Sequence, residues 1–256
     1  MLLAIDIGNT NTVLGLYHKD KLIHHWRLET KKERTADEWG VFLKELFQFE
    51  SKKLEEISGV AISCVVPQMQ RAISEMCRKY IKKEPVIIGP QIKIDMPIST
   101  DNPREVGADR IVNAVAAFHR YKTDLIIVDF GTATTFDYVS NEGEYEGGLI
   151  VPGVGISLDA LCRHGAQLPR VEIARPKHVI GKNTVECMQA GIYFGYAGLV
   201  DSVIEKMEAE IGRKAKVIGT GGLASLIAAE SKRLTEIDEF ITLEGLKMIF
   251  EWNKPS

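Results

Sequence analysis

The chain opens with short apolar runs separated by polar turns, a pattern typical of β-strands and hairpins. Three strands are predicted, at residues 2–7, 12–17 and 22–29. The spacing then changes, because between residues 35 and 49 apolar side chains recur every three or four positions, which predicts an amphipathic helix. Thr35 and Glu38 form a capping-box sequence at its start.

Strand and helix patterns alternate through the rest of the first half. Residues 59–63 have the composition of a buried strand, and Pro67 stands where proline is favoured, in the first turn of a helix. A further short strand is predicted at residues 85–89. Residues 90–108 are rich in loop-forming residues, and a helix is predicted to follow from 109 to 121.

The second half repeats this order. The predicted elements are strands at 124–129, 134–139 and 145–151, a helix after Gly153, a long helix after residues 181–184, a strand at 216–218, and helices from there to the end. In each half, hairpin-connected strands come first and alternating strands and helices follow. This order is typical of two ribonuclease-H-like lobes. We therefore predict an α/β protein with two duplicated lobes, residues 1–115 and 116–256, and an active site in the cleft between them.

Two similar polar turns mark where each half begins. Residues 6–12 and 129–135 share an Asp, a Gly and a final Thr, and each stretch lies between two apolar runs. Gly8 has no Cβ, so backbone N–H groups and small polar side chains of such a turn can surround phosphate oxygens. Asp6 repels phosphate, and its expected task is to hold a cation or its waters. A single copy fits a plain hairpin equally well, but two copies favour a nucleotide held between two lobes.

A glycine run at residues 219–222 follows the predicted strand at 216–218. Its spacing allows a dinucleotide-binding interpretation, with Asp238 or Glu239 near the position of a ribose-binding acid. That motif should open a long alternating sheet, and little of the chain remains after it. We therefore favour a turn whose backbone approaches an adenosine.

Residues 102–110 carry a third candidate site. Asp109 stands in the predicted first turn of a helix, where an acid often only complements the helix dipole. Between Gly107 and Arg110, the same carboxylate could instead take a proton from an alcohol that attacks a phosphate, beside a positive charge. The sequence alone leaves both interpretations open.

Composition disfavours several classes of function. The 256 residues are 45% hydrophobic and 26% charged with a formal charge of −3, which is ordinary for a globular protein and does not favour nucleic acid or an anionic membrane. The six histidines and four cysteines show no metal-ligand spacing, so reduced thiols are expected. No apolar run approaches the ~20 residues of a membrane span, and Asp6 comes too early for a signal peptide. We predict a cytoplasmic protein without nucleic-acid or membrane partners.

Five motifs occur in one order along the chain. They are Asp6-x-Gly8-Asn9-Thr10-x-Thr12, Gly107-Ala108-Asp109-Arg110, Asp129-x-Gly131-Thr132-Ala133-Thr134-Thr135, Gly147-Gly148 with Pro152-Gly153, and Gly181-x-x-Thr184. Together they resemble the type III pantothenate kinases, members of the acetate and sugar kinase/Hsp70/actin superfamily, whose lobes are of the actin-like ATPase type. The resemblance runs from residue 2 to about residue 225. It implies ATP-dependent phosphorylation of pantothenate to 4'-phosphopantothenate, the first step of coenzyme A biosynthesis.

The resemblance also implies the residues of the site. ATP would be bound by Asp6, Ile7, Gly8, Asn9, Thr10, Asn11, Thr12 and Val13 in the first turn and by Thr132 in the second. Pantothenate would be bound by Gly107, Ala108, Asp109, Arg110 and Thr184, with Asp109 as the catalytic proton acceptor. Asp129 would coordinate a monovalent cation, potassium or ammonium, and ATP would arrive with magnesium. The family is dimeric, so Thr184 would complete the pantothenate pocket across the interface of a homodimer.

Two alternatives accompany this interpretation. Relatives of the family have been described as accessory factors for transcription, and the superfamily includes sugar kinases and phosphatases. The intact phosphate turns and Asp109 favour the kinase. Some relatives carry an aromatic residue just before the Asn-Pro segment, where this chain has Thr100, so pantothenate affinity could differ here. The resemblance also implies insensitivity to feedback inhibition by coenzyme A.

Overall fold

The computed structural model describes residues 1–254, and the chain divides into two compact units. Unit 1 contains residues 1–96, 101–116 and the segment from 241 onward, whereas unit 2 contains residues 97–100 and 117–240. Each unit has a five-stranded sheet. Each also has its own hydrophobic core, formed by strand side chains and by the apolar faces of the helices packed on the sheet.

The sheet of unit 1 consists of β1 (Leu2–Ile7), β2 (Asn11–His18), β3 (Lys21–Glu29), β4 (Gly59–Cys64) and β5 (Val86–Ile87). Their spatial order is β3-β2-β1-β4-β5. The pairs β1–β2 and β2–β3 are antiparallel, whereas β1–β4 and β4–β5 are parallel. The first four predicted strands are confirmed to within one residue at each end, and the fifth is shorter than predicted.

The sheet of unit 2 consists of β6 (Leu125–Phe130), β7 (Ala133–Val139), β8 (Tyr145–Pro152), β9 (Lys216–Thr220) and β10 (Glu236–Ile237). Their spatial order is β10-β9-β6-β7-β8. Here β6–β7 and β7–β8 are antiparallel, and β6–β9 and β9–β10 are parallel. Strand for strand, this is the topology of unit 1. The prediction of an α/β protein with two duplicated ribonuclease-H-like lobes is therefore confirmed.

Helices lie in the longer connections between these strands and after the last of them. They are α1 (Ala36–Phe49), α2 (Pro67–Met76), α3 (Ala108–Tyr121), α4 (Val154–His164), α5 (Thr184–Ile211), α6 (Ala224–Ala228) and α7 (Ile241–Trp252). The capping box predicted for α1 is present: the Thr35 hydroxyl accepts from the Glu38 N–H, and the Glu38 carboxylate accepts from the Thr35 N–H. One face of α1 buries Trp39, Leu43 and Phe47 in the core of unit 1.

The two units are not the contiguous segments, 1–115 and 116–256, that the sequence suggests. Helix α7 belongs to unit 1, where it packs on β1 and β4. The contact is close because β4 begins with a glycine: a Cβ on Gly59 would lie 2.1 Å from the ring of Phe250. A C-terminal helix that returns to the N-terminal sheet leaves no local sequence signal, because its partners are distant along the chain.

Two short pairings in unit 2 were also missed. Residues 97–100 extend along the start of β8, where the Ser99 N–H donates to the Tyr145 carbonyl oxygen at 2.8 Å. Residues 236 and 237 form β10 in parallel with β9, whereas the sequence predicted only helices after the glycine run. Residues 97–100 pair with a strand far along the chain, and the two residues of β10 are too few to show a strand periodicity, so neither pairing can be read from the local pattern.

Candidate active site

The first Asp-x-Gly turn joins β1 to β2. It is closed by a backbone hydrogen bond in which the Gly8 N–H donates to the Asn11 carbonyl oxygen at 3.0 Å. A Cβ on Gly8 would lie 3.0 Å from that same oxygen, so any other residue is crowded there. Asn9, Thr10 and Asn11 are exposed. The turn therefore offers backbone and short polar side chains to a ligand, an arrangement that suits phosphate oxygens.

Asp6 lies one residue before the end of β1, and its side chain is half-buried. In the sheet it stands between Val13 of β2 and Ser63 of β4. The next residue of β4, Cys64, keeps its thiol protonated, because burial raises its pKa and the nearby Asp6 carboxylate adds to that effect. Cys64 is therefore a neutral neighbour of Asp6 and not a nucleophile.

The second Asp-x-Gly turn, between β6 and β7, is one residue shorter than the first. Four residues separate the paired Ile7 and Thr12, whereas three separate the paired Phe130 and Thr134. The sequence comparison aligns Thr12 with Thr135, but by position in the sheet Thr12 corresponds to Thr134. The two turns therefore share a plan and differ in length.

The second turn is backed by the start of α4. A Cβ on Gly153 would lie 2.2 Å from the Thr132 carbonyl oxygen and 2.7 Å from the Gly131 carbonyl oxygen, so only glycine allows this approach. Pro152, the residue before Gly153, is bonded to α5, because the Tyr196 hydroxyl donates to the Pro152 carbonyl oxygen at 2.8 Å. The N terminus of α4 thus comes next to Thr132, where its N–H groups favour negative charge.

The glycine run that follows β9 lies against Asp129. Thr220 is paired with Asp129 across β9 and β6. Gly221 has φ +91°, which favours glycine, and a Cβ there would lie 2.6 Å from the Asp129 Oδ1. Beyond β9 the sheet continues only with the two-residue β10. This is not the long alternating sheet of a dinucleotide-binding fold, and the run lies instead beside the second turn.

Asp109 stands in the first turn of α3. Its Oδ1 accepts a hydrogen bond from the Arg110 N–H at 2.8 Å. A Cβ on Gly107 would lie 2.5 Å from that oxygen, so the glycine lets the carboxylate fold back over the start of the helix. The side chain of Asp109 stays half-buried. The Arg110 N–H therefore uses part of the hydrogen-bonding capacity of the Asp109 carboxylate, and this bond is compatible with a role as a base.

Thr184 is the first residue of α5 and is exposed. The preceding Asn183 caps the helix, with its Oδ1 accepting from the Glu186 N–H at 2.9 Å. A Cβ on Gly181 would lie 2.5 Å from the Cys187 nitrogen, so this glycine lets the chain pass close to the first turn. The Gly181-x-x-Thr184 motif is thus, within unit 2, a helix-start motif that presents Thr184 to the surface.

Unit 2 brings together Asp129, Thr132, Gly153 and Gly221 at one end of its sheet. Tyr196 is not predicted from the sequence, because its link to Pro152 spans 44 positions and leaves no local signal. Within residues 1–254 no three His, Cys, Asp or Glu side chains are grouped so that they could hold a metal ion. No helix in the same part of the chain is long and apolar enough to cross a membrane.

A cavity of about 550 Å³ opens elsewhere in unit 2, and none of the predicted site residues lines it. It lies between the first part of β8 and the end of α5, and its lining includes Tyr138, Glu146 and Arg213. Arg213 and Tyr138 both bind the carboxylate of Asp124, so these polar groups already have partners. Because Tyr138 stands at the end of β7 opposite to Thr132, the cavity is separate from the second turn.

The duplicated topology, with an Asp-x-Gly turn after the first strand of each sheet, defines the class: an actin-like ATPase and sugar-kinase fold. A candidate 2-dehydro-3-deoxygalactonokinase from Sinorhizobium meliloti superposes with a TM-score of 0.58 at 14% identity, over 100% of this chain and 98% of that one. A candidate Baf family transcriptional activator from Campylobacter jejuni gives 0.59 at 18% identity, over 98% of both chains. Both likenesses concern the fold alone.

Sequence comparison identifies the family within that class. The family model for type III pantothenate kinase matches residues 2–206. A type III pantothenate kinase from Myxococcus xanthus is 53% identical over 256 residues, which is 100% of both chains. The chain belongs to the type III pantothenate kinase family.

The close approach of Gly153 to the second turn predicts a difference between two glycines of the same segment. Gly153→Ala should lower the free energy of unfolding by about 1–3 kcal/mol, because its Cβ would force the Thr132 carbonyl to move. Gly155→Ala is the matched control: its Cβ would meet nothing within 4 Å, and alanine in a helix stabilises by up to about 1 kcal/mol. Denaturant unfolding measures both, and equal stabilities would contradict the described packing.

Proposed function

We propose that the chain transfers the γ-phosphoryl group of ATP to the terminal hydroxyl of pantothenate, forming 4'-phosphopantothenate in the first step of coenzyme A biosynthesis. The observation that carries this proposal is the family match over residues 2–206. The match includes both Asp-x-Gly turns and the start of α3. An O–P bond to pantothenate forms, the bond to the β-phosphate oxygen breaks, and ADP leaves.

For ATP, the proposal uses both turns. The segment from Asp6 to Val13 surrounds the phosphates with backbone N–H groups and the exposed side chains of residues 9–11. Thr132 adds a contact from the second turn, supported by the dipole of α4. Magnesium accompanies ATP and neutralises part of the charge on its phosphates.

For pantothenate, the proposal assigns Gly107, Ala108, Asp109 and Arg110, together with Thr184. Asp109 accepts the proton of the attacking hydroxyl, which is the task of a general base in phosphoryl transfer. The Arg110 N–H bond to Oδ1 orients the carboxylate, so the base is held in place before substrate arrives. The Arg110 side chain supplies positive charge beside it.

Removing the base tests this assignment. Asp109→Asn keeps the size of the side chain but cannot accept the proton, so we expect kcat to fall ~10²–10⁴-fold with little change in melting temperature. Asp95→Asn, an exposed acid of the same unit, is the control and should keep wild-type turnover. Pantothenate-dependent ADP release measures all three proteins. An Asp109→Asn enzyme within threefold of wild type would remove Asp109 from the role.

For the monovalent cation, potassium or ammonium, the proposal assigns Asp129. The residues fit such an ion in one respect: Asp129 supplies an anionic oxygen, and Gly221 lets the chain after β9 pass close to it, since a Cβ there would lie 2.6 Å from the Asp129 Oδ1. When bound, the cation would neutralise phosphate charge without the strict octahedral geometry of magnesium. The chain's own contribution is to fix Asp129 near the end of β6, where it is paired with Thr220 of β9.

Potassium dependence tests that assignment. Asp129→Ala should lose the increase in turnover that potassium gives the wild type, because the anionic ligand is gone. Asp159→Ala, an exposed acid on α4, should retain it. Turnover is measured across a potassium titration at fixed ionic strength. If Asp129→Ala still responds to potassium as the wild type does, the cation binds elsewhere.

We also propose a cytoplasmic homodimer. The four cysteines are free, as expected in a reducing compartment. The loop before α5 and the first turn of the helix carry exposed apolar side chains, with Val179 68%, Ile180 75% and Val185 41% exposed. Further along the helix, glycines leave an open face: a Cβ on Gly191, Gly195 or Gly198 would meet nothing within 4 Å. An apolar surface beside Thr184 supports a subunit contact there.

The mass of the protein in solution tests the dimer. Light scattering should give twice the 28.5 kDa of one chain. Gly195→Arg, which places a charge on the open face of α5, should shift the mass towards one chain. A wild-type mass of one chain at micromolar concentration would contradict the proposal.

A further inference from the structure

Thr30, the residue that follows β3, is hydrogen-bonded to the first phosphate turn in two ways. Its backbone N–H donates to the Thr10 carbonyl oxygen at 2.9 Å. Its hydroxyl donates to the Gly8 carbonyl oxygen at 2.8 Å. One residue outside the Asp-x-Gly motif thus holds two carbonyl groups of the turn.

A third contact fixes the direction of the network. The Thr30 and Thr12 hydroxyl oxygens lie 3.0 Å apart, and either could donate on geometry alone. A hydroxyl has one proton, and that of Thr30 is given to Gly8, so Thr12 must donate to Thr30. Thr12 is fully buried. Its hydroxyl proton therefore faces into the unit and is not offered to a phosphate while the network is intact.

The planarity of the peptide group determines where the N–H groups of the turn point. In a trans peptide, a carbonyl and the N–H of the next residue point in opposite directions. Because Thr30 draws the Gly8 and Thr10 carbonyls towards itself, the N–H groups of Asn9 and Asn11 point away from it. Both asparagines are exposed, so the part of the turn that carries these N–H groups is open to a ligand.

In unit 2 the corresponding turn is supported without a threonine hydroxyl. The register of β7 with β8 places Gly153 where the register of β2 with β3 places Thr30. Gly153 has no side chain, and it packs directly on the Thr132 carbonyl oxygen. Thr134, the counterpart of Thr12, has no hydrogen-bond partner for its hydroxyl among residues 1–254. The threonine pair is therefore a feature of the first turn.

We propose that Thr30 is a positioning residue for nucleotide binding: its hydroxyl and N–H orient the first turn so that the Asn9 and Asn11 N–H groups face the phosphates of ATP. The proposal rests on the assignment of this turn to ATP. Thr30 itself contacts the turn and not the nucleotide.

The test compares Thr30→Val and Thr30→Ala, which remove the hydroxyl, with Thr30→Ser, which keeps it. We expect MgATP affinity, measured by calorimetry without pantothenate, to fall about tenfold in the first two variants, as for the loss of one hydrogen bond. Thr30→Ser should stay within about threefold of wild type, on the same reasoning. In turnover assays the KM for ATP should rise more than kcat falls. The alanine variant gives the same readout if the valine variant does not fold.

Thr35→Ala is the matched control in the same unit, because it removes a hydroxyl that only caps α1. It should lower the melting temperature and leave MgATP affinity unchanged. The proposal is overturned if Thr30→Ala binds MgATP like the wild type, if Thr30→Ser is as weak as Thr30→Ala, if Thr35→Ala weakens binding equally, or if the wild type does not bind MgATP. A protein that binds MgATP normally but does not phosphorylate pantothenate would instead contradict the proposed function.

Discussion

The direction of the carbonyl groups in each Asp-x-Gly turn is the constraint on which the rest of the site depends. A turn can present N–H groups to an anion only if its carbonyls are held on the other side, because each peptide group is planar. Held carbonyls need partners from outside the turn. In unit 1 the partner is Thr30, through its hydroxyl and its N–H. In unit 2, close packing of Gly153 on the Thr132 carbonyl oxygen takes that place.

The two turns are supported differently because the chain continues differently after the third strand of each sheet. After β3 the chain continues into a loop before α1 begins, and a side chain is available to hold the turn. After β8 the chain passes through Gly153 directly into α4, so the helix N terminus itself stands beside Thr132. The second turn is also one residue shorter, and its acid, Asp129, is bordered by Gly221. The first turn is thus supported by the Thr30 side chain, whereas the second is packed against Gly153 and the N terminus of α4.

Much of the fold was predictable because it rests on local patterns. The alternation of residues 2–29, the capping box at Thr35 and the repeated turn are contained in short windows of sequence, and each is confirmed. The return of α7 to β1 and β4, and the pairing of residues 97–100 with β8, depend on partners far along the chain. No short stretch of sequence contains both of the segments that make such a contact.

The same limit applies to the site. The motifs identify Asp6, Asp109 and Asp129 because their glycine neighbours stand beside them in sequence. Thr30 and Tyr196 support the turns from 22 and 44 positions away, measured to Gly8 and Pro152, and carry no motif of their own. The residues proposed to contact a ligand are thus found by motif, whereas the residues that support them are found only from the fold.

The most direct test of the account is the product formed from ATP and pantothenate by the purified chain, followed by mass spectrometry or phosphorus NMR with and without potassium. The account predicts one 4'-phosphopantothenate for each ADP released, with a rate that rises on adding potassium. Release of ADP that does not depend on pantothenate, or no pantothenate-dependent turnover under either condition, would contradict it.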